Sequence, residues 1–279
     1  MRKKQTKRTV IVLSAALLFQ TICEPLMAGN LKTVQAATIE DITVVESEST
    51  GATVSTRDEF MTALENKKSP ITVSAAISIG DAAEGTGKMK PVEIPAGTVI
   101  QGDTSVQDDT EVGLTCRGPI QLAGDGVIIK DMALKFESAD ALDSVPHREI
   151  FLAGHSLTLD NVSTYLAGAG GSLGGLGGTE EELLPTVYAG GYEGTTIGEN
   201  ASLTVTNANS ETMFQGIYMS HDAGTDAKVS YTGNASLSIG PKITVRDGIF
   251  TNMTAEGKSA QIEVTGSGNV SNIKFYGDD

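Results

Sequence analysis

The sequence predicts an all-β fold, a parallel β-solenoid with one short helix at its N-terminal end. Short strands of alternating apolar and polar residues recur along the chain, and glycines separate them. The phrase GENASLTV at residues 198–205 returns as GNASLSI at residues 233–239. Aromatic residues make up only 5% of the chain and Trp is absent, while Gly, Ser, Thr, Val and Ile are common. That composition favours short strands and tight turns over helices.

Residues 1–36 have the pattern of a secretory signal peptide. A basic head at residues 2–8 precedes an apolar run at residues 10–19, and Val34-Gln35-Ala36 supplies small residues where a signal peptidase cuts. A membrane anchor is the alternative, but the apolar run is shorter than the roughly 20 residues that span a bilayer. We therefore expect cleavage after Ala36, a secreted or cell-wall-associated protein, and no membrane insertion after that cleavage.

The charge of the mature chain argues against polyanionic partners. Removal of residues 1–36 would leave 14 Lys and Arg against 34 Asp and Glu, a net charge of −20. Such a chain repels nucleic acid at long range, so we expect no nucleic-acid partner. Cys116 would be the one cysteine left, which allows no internal disulfide. Stability must then come from a packed core and backbone ladders.

The predicted elements begin with a polar leader at residues 37–53, which contains one candidate strand at residues 42–45. A helix follows, because Thr56 and Glu59 have the spacing of a capping box. Its apolar stripe consists of Phe60, Met61 and Leu64. Ser69-Pro70 prevents the helix from continuing. We expect this helix to cover the open end of a single β-helix domain at residues 54–279, since an uncovered solenoid end invites aggregation.

From Ile71 onward the apolar period is two, as in strands. The strand pieces that align with one another begin at successive separations of 28, 30, 46, 34 and 25 residues; they are residues 99–101, 127–129, 157–159, 203–205, 237–239 and 262–264. A strand that returns about every 25–35 residues is typical of a solenoid coil. An antiparallel sandwich also has short strands and turns and remains the alternative.

Stacked coils would align three pairs of inward side chains into one core, namely Leu157 and Leu159, Leu203 and Val205, and Leu237 and Ile239. Thr158, Thr204 and Ser238 would then face outward. Asn161, Asn207 and Asn234 fall near the bends, where short amide side chains tolerate left-handed backbone geometry. The 46-residue interval contains a glycine-rich stretch at residues 168–185, which predicts a loop excursion at about residues 167–192.

The order of TRDEFMTAL, SPITVSAAISI, IPAGTVIQGD, GVIIKDMALKF and HSLTLDNVS resembles the right-handed parallel β-helix proteins of the pectate-lyase-like superfamily. The stretch at residues 187–208, VYAGGYEGTTIGENASLTVTNA, is similar to repeat units of Gram-positive bacterial surface proteins called adhesin-like. The resemblance covers roughly residues 54–276. It implies a right-handed parallel β-helix, and it carries little information about activity because function on such folds lies in loops and exposed faces.

A polysaccharide lyase needs several carboxylates on one face and a basic residue that removes a proton next to the uronate carboxylate. The candidate basic residues are Arg117, Arg148 and Arg246, and no paired-arginine pattern like that of the pectate lyases is present. Glu149 and Asp247 neighbour two of these arginines, but neighbours alternate faces along a strand. A lyase is therefore the less favoured reading.

A glycoside hydrolase needs two carboxylates about 5–10 Å apart. Asp131 and Asp160 occupy comparable positions after their strands, although turn-forming acids at coil corners are the preferred interpretation. Sugar stacking would have to use tyrosines in place of Trp; the candidates are Tyr165, Tyr188, Tyr192 and Tyr218.

Other chemistry-bearing residues give no constellation. The acidic loop at residues 103–111 could bind calcium, but it lacks EF-hand spacing and is better read as a solvated loop. His147, His155 and His221 are scattered, Cys116 has no cysteine partner, and His221-Asp222 has no nucleophile. The glycine-rich stretch lacks a phosphate-loop lysine. The sequence assigns no catalytic, cofactor-binding or metal-ligating residue.

The function that the sequence favours is a secreted or cell-surface module that binds a glycan or a host surface protein without catalysis. Exposed Thr, Ser, Asn and Tyr side chains on a sheet face would make the contacts, assisted by residues 168–192. A carbohydrate-active lyase or hydrolase is the first alternative, and a structural stalk is the second.

Overall fold

The computed structural model describes residues 50–82, 89–106, 112–136, 148–164, 184–192, 196–197, 199–208, 212–219, 230–251, 259–264 and 275–276. These residues belong to one unit, Ser47–Asp279. The predicted signal peptide, the candidate strand at residues 42–45 and the glycine-rich stretch up to residue 183 lie outside the described residues.

The described part of the chain contains one helix and 21 strands. The helix is α1 (Arg57–Glu65). The strands are β1 (Ala52–Val54), β2 (Ile71–Val73), β3 (Ala76–Ile79), β4 (Asp81–Ala82), β5 (Met89–Lys90), β6 (Val92–Ile94), β7 (Val99–Gly102), β8 (Gly113–Cys116), β9 (Ile120–Leu122), β10 (Val127–Phe136), β11 (Glu149–Phe151), β12 (Ser156–Ser163), β13 (Thr186–Tyr188), β14 (Thr196–Ile197), β15 (Ala201–Thr206), β16 (Met213–Tyr218), β17 (Ser230–Tyr231), β18 (Ala235–Ile239), β19 (Thr244–Phe250), β20 (Ala260–Val264) and β21 (Phe275–Tyr276).

Two large sheets contain most of these strands. The first sheet has the order β1-β2-β7-β10-β12-β15-β18-β20, and β3 and β8 pair beside the second half of β10. The second sheet has the order β6-β9-β11-β13-β16-β19-β21. The described strands of both sheets pair in parallel, and among the described strands only the β4–β5 hairpin is antiparallel. The antiparallel sandwich considered from the sequence is therefore wrong, and the arrangement is compatible with a parallel β-helix.

The chain visits the two sheets in alternation. Between successive strands on the main path of the first sheet, from β2 to β20, the chain contributes one strand to the second sheet, for example β16 between β15 and β18. Strands that are adjacent on these paths are therefore separated along the chain by a strand of the other sheet. This topology suits parallel pairing, because a parallel strand pair needs a long crossover connection.

The core column predicted from the sequence is confirmed. Leu157 pairs in register with Leu203, and Leu203 with Leu237. The neighbouring column, two residues further along each strand, joins Leu159, Val205 and Ile239 in the same way. All six side chains are at most 2% exposed. Each of these strands therefore contributes one apolar side chain to each of two columns that run from coil to coil.

The second sheet contributes its own inward column to the same core. Ile150, Val187, Ile217 and Ile249 are aligned through successive pairings and are buried. These residues and the leucine column belong to a single cluster of buried side chains. At about 25 cal/mol per Å² of apolar area, such burial supplies the main favourable term for folding. The two sheets therefore enclose one core.

Short polar residues form the bends between strand segments, as predicted. Asp131 and Asn161 have φ angles of 53° and 54°, and Asn207 has a φ of 44°. Asn161 Nδ2 donates to Asp131 Oδ1 at 3.1 Å, so bends of successive coils are bonded to each other. Asn and Asp tolerate this left-handed geometry better than most residues. Because of these bends, β10 pairs with β7 before Asp131 and with β8 after it.

The repeat of GENASLTV at residues 198–205 as GNASLSI at residues 233–239 has a structural explanation at another bend. Asn200 and Asn234 each precede a strand that begins Ala-Ser-Leu. Asn200 Oδ1 accepts from the Asn234 backbone N–H at 3.1 Å, and Asn234 Oδ1 accepts from the Ser259 N–H at 3.1 Å. The repeated Asn satisfies the next coil's backbone, the Ala and Leu point inward, and the Ser points outward.

Helix α1 forms as the sequence predicts. Thr56 Oγ1 accepts from the Glu59 N–H at 3.3 Å, and Glu59 Oε2 accepts from the Thr56 N–H at 3.1 Å, which completes the capping box. The Ser55 N–H also donates to Glu59 Oε2, at 2.8 Å, and this bond is the largest cause of the lowered pKa of Glu59. The buried face consists of Phe60, Ala63 and Leu64, whereas Met61 is only partly buried against the core.

Candidate functional site

The outward face of the first sheet carries columns of small polar side chains. Ser156, Ser202 and Ser236 are aligned through the pairings of β12, β15 and β18, and Gln261 of β20 continues the column. The second column, two residues along each strand, contains Thr158, Thr204, Ser238 and Glu263. The Thr158, Thr204 and Ser238 alignment is the one predicted from the sequence.

A shallow depression of about 520 Å³ lies at the C-terminal end of this face. Its lining residues are Ser202, Ser236, Leu237, Ser238, Gln261, Ile262 and Glu263. Ser236, Gln261 and Glu263 are exposed, whereas Ser238 is half-buried. The volume falls in the range of small-molecule sites, about 300–1,000 Å³. The depression therefore offers three hydroxyls, one amide and one carboxylate to a ligand.

The spacing of these polar groups is fixed by the sheet. Ser236 is in register with Gln261, and Ser238 is in register with Glu263. Neighbouring strands lie about 4.8 Å apart, and residues two positions along a strand are about 6.6 Å apart. The four side chains thus stand at the corners of a small rectangle on a rigid backbone. Such a grid suits a ligand with several hydrogen-bonding groups at short, regular intervals.

The second sheet carries one column of aromatic side chains on the side opposite its core column. Phe151, Tyr188, Tyr218 and Phe250 are aligned in register across four strands. Ring centroids are 5.5, 5.1 and 4.4 Å apart along this column, with interplanar angles of 16°, 17° and 5°. A Cβ placed on Gly216 would be 2.9 Å from Tyr218 Cε2, so this glycine makes room for the ring. We call this column the aromatic stack.

The stack changes the role expected of the tyrosines. Both ring faces of Tyr188 and of Tyr218 are covered by their neighbours in the stack. Tyr192 meets Phe151 edge-on at 5.5 Å, and Tyr165 lies outside the described residues. Sugar stacking requires an open ring face, so Tyr188 and Tyr218 do not provide the platform considered from the sequence. Their faces stabilise the sheet instead.

The structure does not bring the candidate arginines together. Arg117 follows β8, whereas Arg148 precedes β11 and Arg246 lies in β19. Two strands, β13 and β16, separate β11 from β19, a distance of about 14 Å at the usual strand spacing. The pairs Arg148-Glu149 and Arg246-Asp247 therefore occupy different parts of the second sheet.

The expected alternation of Arg246 and Asp247 is wrong, because the register shifts between Phe214 and Gly216. Val245 pairs with Phe214 and Gly248 pairs with Gly216, so two residues of β19 oppose Gln215 alone. Arg246 and Asp247 are consequently both exposed. Gln215 Nε2 donates to Asp247 Oδ2 at 2.8 Å. Burial, and secondly the charge of Asp247, raise the pKa of Tyr218 above 10.0.

Asp131 and Asp160 serve the bends, which is the interpretation preferred from the sequence. Asp160 Oδ1 accepts from Thr206 Oγ1 at 2.9 Å and from Asn207 Nδ2 at 2.8 Å. Asp131 Oδ1 accepts from Asn161. Carboxylates bonded in this way hold the backbone of the next coil, and the hydrogen bonds account for their positions without a substrate.

The remaining candidates are dispersed. Asp103 Oδ1 accepts from Ser105 Oγ at 2.6 Å and from the Ser105 N–H at 2.9 Å, and these bonds lower the pKa of Asp103. Residues 107–111 of the acidic loop, and His147 and His221, lie outside the described residues. His155 Nδ1 is 3.6 Å from Asp125 Oδ1, and Cys116 is buried. Across the described ranges, no three His, Cys, Asp or Glu side chains are grouped as metal ligands would be.

The second sheet is the feature that sequence reasoning missed. Five of its seven described strands end in a pair whose second residue is aromatic, namely Ile150-Phe151, Val187-Tyr188, Ile217-Tyr218, Ile249-Phe250 and Phe275-Tyr276. These pairs recur at separations of 37, 30, 32 and 26 residues, close to those of the first sheet. That second period was the available signal. One strand of this sheet, β13, lies within residues 167–192, which were assigned to a loop excursion.

Comparison with known proteins gives no relative for this chain. No protein-family model matches it, and neither does any curated protein or solved structure. In the part of the chain that is described, no helix has the length and apolar character needed to cross a membrane. The site must therefore be interpreted from its own geometry.

Proposed function

We propose that this chain is a secreted, non-enzymatic binding module that holds glycan chains on the outward face of its first sheet. The observation that carries the proposal is the depression at the end of that face, where Ser236, Ser238, Gln261 and Glu263 stand on two strands in register. Their hydroxyl, amide and carboxylate groups match the alternating donors and acceptors of a sugar. The hydroxyl columns of β12 and β15 continue the polar face beyond the depression, toward an extended polymer's further sugar units.

The chemistry of the face favours a glycan over a protein partner. Protein interfaces have buried centres enriched in aromatic residues and Met. The described strands β12, β15, β18 and β20 present Ser, Thr, Gln, Asp and Glu side chains outward, with no aromatic residue. Val264 is the exposed large hydrophobic residue among the described positions, at 40%. Hydroxyl-rich ligands fit this surface better than an apolar protein patch does.

The same chemistry predicts weak binding per site. Without an open aromatic face, binding depends on a few hydrogen bonds, each with a net value of about 1 kcal/mol. Four such bonds correspond to a Kd on the order of 1 mM. A repetitive polymer raises the apparent affinity, because neighbouring sugar units rebind at high effective concentration. This expectation fits a module that works on surfaces rather than on free monosaccharides.

The finer architecture in this proposal is a right-handed parallel β-helix of the pectate-lyase-like kind. Connections between parallel strands of one sheet are right-handed in about 98% of cases. Helix α1 would cap the N-terminal end, since its Phe60 and Leu64 are buried and it contacts β1, β2 and β3. The basic head and apolar run of residues 1–36 support secretion.

The test is binding of the mature chain to an array of immobilised glycans, together with a screen for product release from polyuronates and common polysaccharides. The proposal expects binding to at least one glycan and no product. Ser236→Arg should abolish binding by placing a long charged side chain over the depression. Thr244→Arg is the matched control, because Thr244 is an exposed strand residue of the second sheet.

Four results would contradict the proposal or its assignment to the first sheet. Release of product would favour the carbohydrate-active enzyme. Binding only to host surface proteins would favour a protein partner, and an absence of binding and of product would favour a stalk. Equal binding by the Ser236→Arg and Thr244→Arg variants would move the site away from the first sheet.

A further inference from the structure

We infer that the depression selects glycans that carry protonated amines, such as partly or fully de-N-acetylated amino sugars, over neutral and anionic glycans. This inference rests on the proposed function. It comes from the charge of the lining, where Glu263 places a carboxylate beside three serines and Gln261. Among the described residues that line the depression, Glu263 is the ionisable one.

The position of Glu263 makes its carboxylate available to a ligand. It lies in β20, is exposed, and is in register with Ser238 of β18. At the usual strand spacing, the backbones of Glu263 and Ser238 lie about 4.8 Å apart. A sugar that donates hydroxyl hydrogens to Ser236 or Ser238 can therefore place an ammonium group at Glu263. Charged hydrogen bonds of this kind are shorter and stronger than neutral ones.

The serine hydroxyls of the lining support a sugar rather than a small polyamine. Leu237 and Ile262 also line the depression, but they alternate with the outward serines and Glu263, and Leu237 is buried in the core. The contacts to a sugar therefore come from the hydroxyl, amide and carboxylate groups of the lining. A linear polyamine would satisfy Glu263 but would leave the serine hydroxyls to water.

The charge of the chain works in the same direction. The net charge is −15 over the whole sequence, so the protein attracts cations and repels uronates at long range. This long-range contribution would be present anywhere on the surface. The local contribution of Glu263 must therefore be separated from it by a charge-matched control.

The experiment compares three oligosaccharides of equal length at about pH 5.5, where the sugar amine is protonated. The probes are a glucosamine oligomer, its N-acetylated counterpart and an oligogalacturonate. The wild-type chain should bind the amine form about fivefold more tightly than the N-acetylated form, the effect of one exposed charge pair. The oligogalacturonate should bind most weakly.

Two variants locate the preference. Glu263→Gln should reduce the affinity ratio of amine to N-acetyl oligomer to about one. Glu93→Gln makes the same charge change at an exposed residue of the second sheet and should retain the fivefold ratio. Far-ultraviolet circular dichroism checks that both variants fold. The wild-type ratio should also approach one at about 1 M salt, where the Debye length is about 3 Å.

Each result decides the inference. A ratio near one in the wild-type chain overturns the amine preference and leaves the glycan-binding proposal standing. A preference that survives Glu263→Gln, or that disappears equally in Glu93→Gln, overturns the assignment to this depression. If none of the oligomers, and no glycan on the array, binds, the proposed function fails as well.

Discussion

Leu203 of the first sheet and Ile217 of the second sheet face the same core and are both fully buried. Their outward neighbours differ: Thr204 lies among hydroxyls and carboxylates, while Tyr218 lies between two aromatic rings. The inward residues of both sheets obey the same rule, because stacked coils need apolar columns. The outward residues are free to differ. Aromatic stacking stabilises the outer side of the second sheet, and under the proposed function the outer side of the first sheet is the one that binds a ligand.

The largest expected effect tests the shared interior. Leu203→Ala and Ile217→Ala each remove buried apolar atoms from the one cluster. Each should lower the free energy of unfolding by about 2–5 kcal/mol, since the tightly packed column cannot collapse fully into the cavity. Chemical denaturation of the mature chain measures both values. Thr204→Ala, on the outward face, should change stability by no more than about 0.5 kcal/mol.

A loss below about 1 kcal/mol for either substitution would show that its sheet does not share in the core. Similar losses for Leu203→Ala and Thr204→Ala would contradict the inward and outward assignment on which the comparison depends.

The next effect concerns the two exteriors. Tyr218 stacks on Tyr188 at 5.1 Å and on Phe250 at 4.4 Å. Each aromatic pair is worth about 0.5–1.5 kcal/mol beyond its area burial. Tyr218→Ala should therefore destabilise the protein by about 1–3 kcal/mol, well above the loss for Thr204→Ala at the corresponding outward position of the first sheet.

Tyr218→Phe is the matched control for that prediction, because it keeps the stacked ring and removes only the hydroxyl. It should retain most of the stability in the same denaturation measurement. If Tyr218→Ala and Thr204→Ala cost the same, the aromatic stack does not stabilise the sheet, and the division of roles between the two exteriors is wrong.

The interior and the exterior were not equally predictable from the sequence. The first sheet was predicted from Leu157, Leu203 and Leu237, because burial forces apolar side chains into a strict alternation. The start of the helix was predicted from Thr56 and Glu59, since a capping box joins residues three apart. Residues 99–101 and 262–264 were recognised as strands for the same reason. Local chemistry and the alternation of one face are readable in a single sequence.

The second sheet and the depression depend on contacts between coils. The pair Ile217-Tyr218 recurs along the sequence as Ile249-Phe250, but the stacking of Tyr218 on Phe250 follows only from the pairing of the two strands. The extra residue at Arg246 and Asp247 breaks the period of two, and a bulge has no fixed sequence signal. Glu263 becomes a candidate ligand group only beside Ser238 of the preceding coil. The sequence of a single strand does not determine its pairing register, and the register decides which residues of successive coils lie side by side.

The smallest expected effect tests the electrostatics at the bulge beside the aromatic stack. Burial is the larger cause of the raised pKa of Tyr218 and the charge of Asp247 is the smaller one. Asp247→Asn should therefore lower the pKa of Tyr218 but leave it above 10.0, because burial still disfavours the phenolate. Ultraviolet difference titration of the variant, with Tyr218→Phe subtracted, isolates this tyrosine from the other five.

The raised pKa also fixes the direction of the pH dependence. A phenol whose pKa is higher in the folded state contributes stability that is present below pH 10.0 and is lost as the pH rises through the folded-state pKa. In Asp247→Asn the loss should be smaller, since the difference between the folded and unfolded pKa values is smaller. An unchanged pKa of Tyr218 would mean that the Asp247 carboxylate, held by Gln215, does not act on the ring. Stacking alone would then stabilise the aromatic side chains of the second sheet, without a contribution from the charges at the bulge.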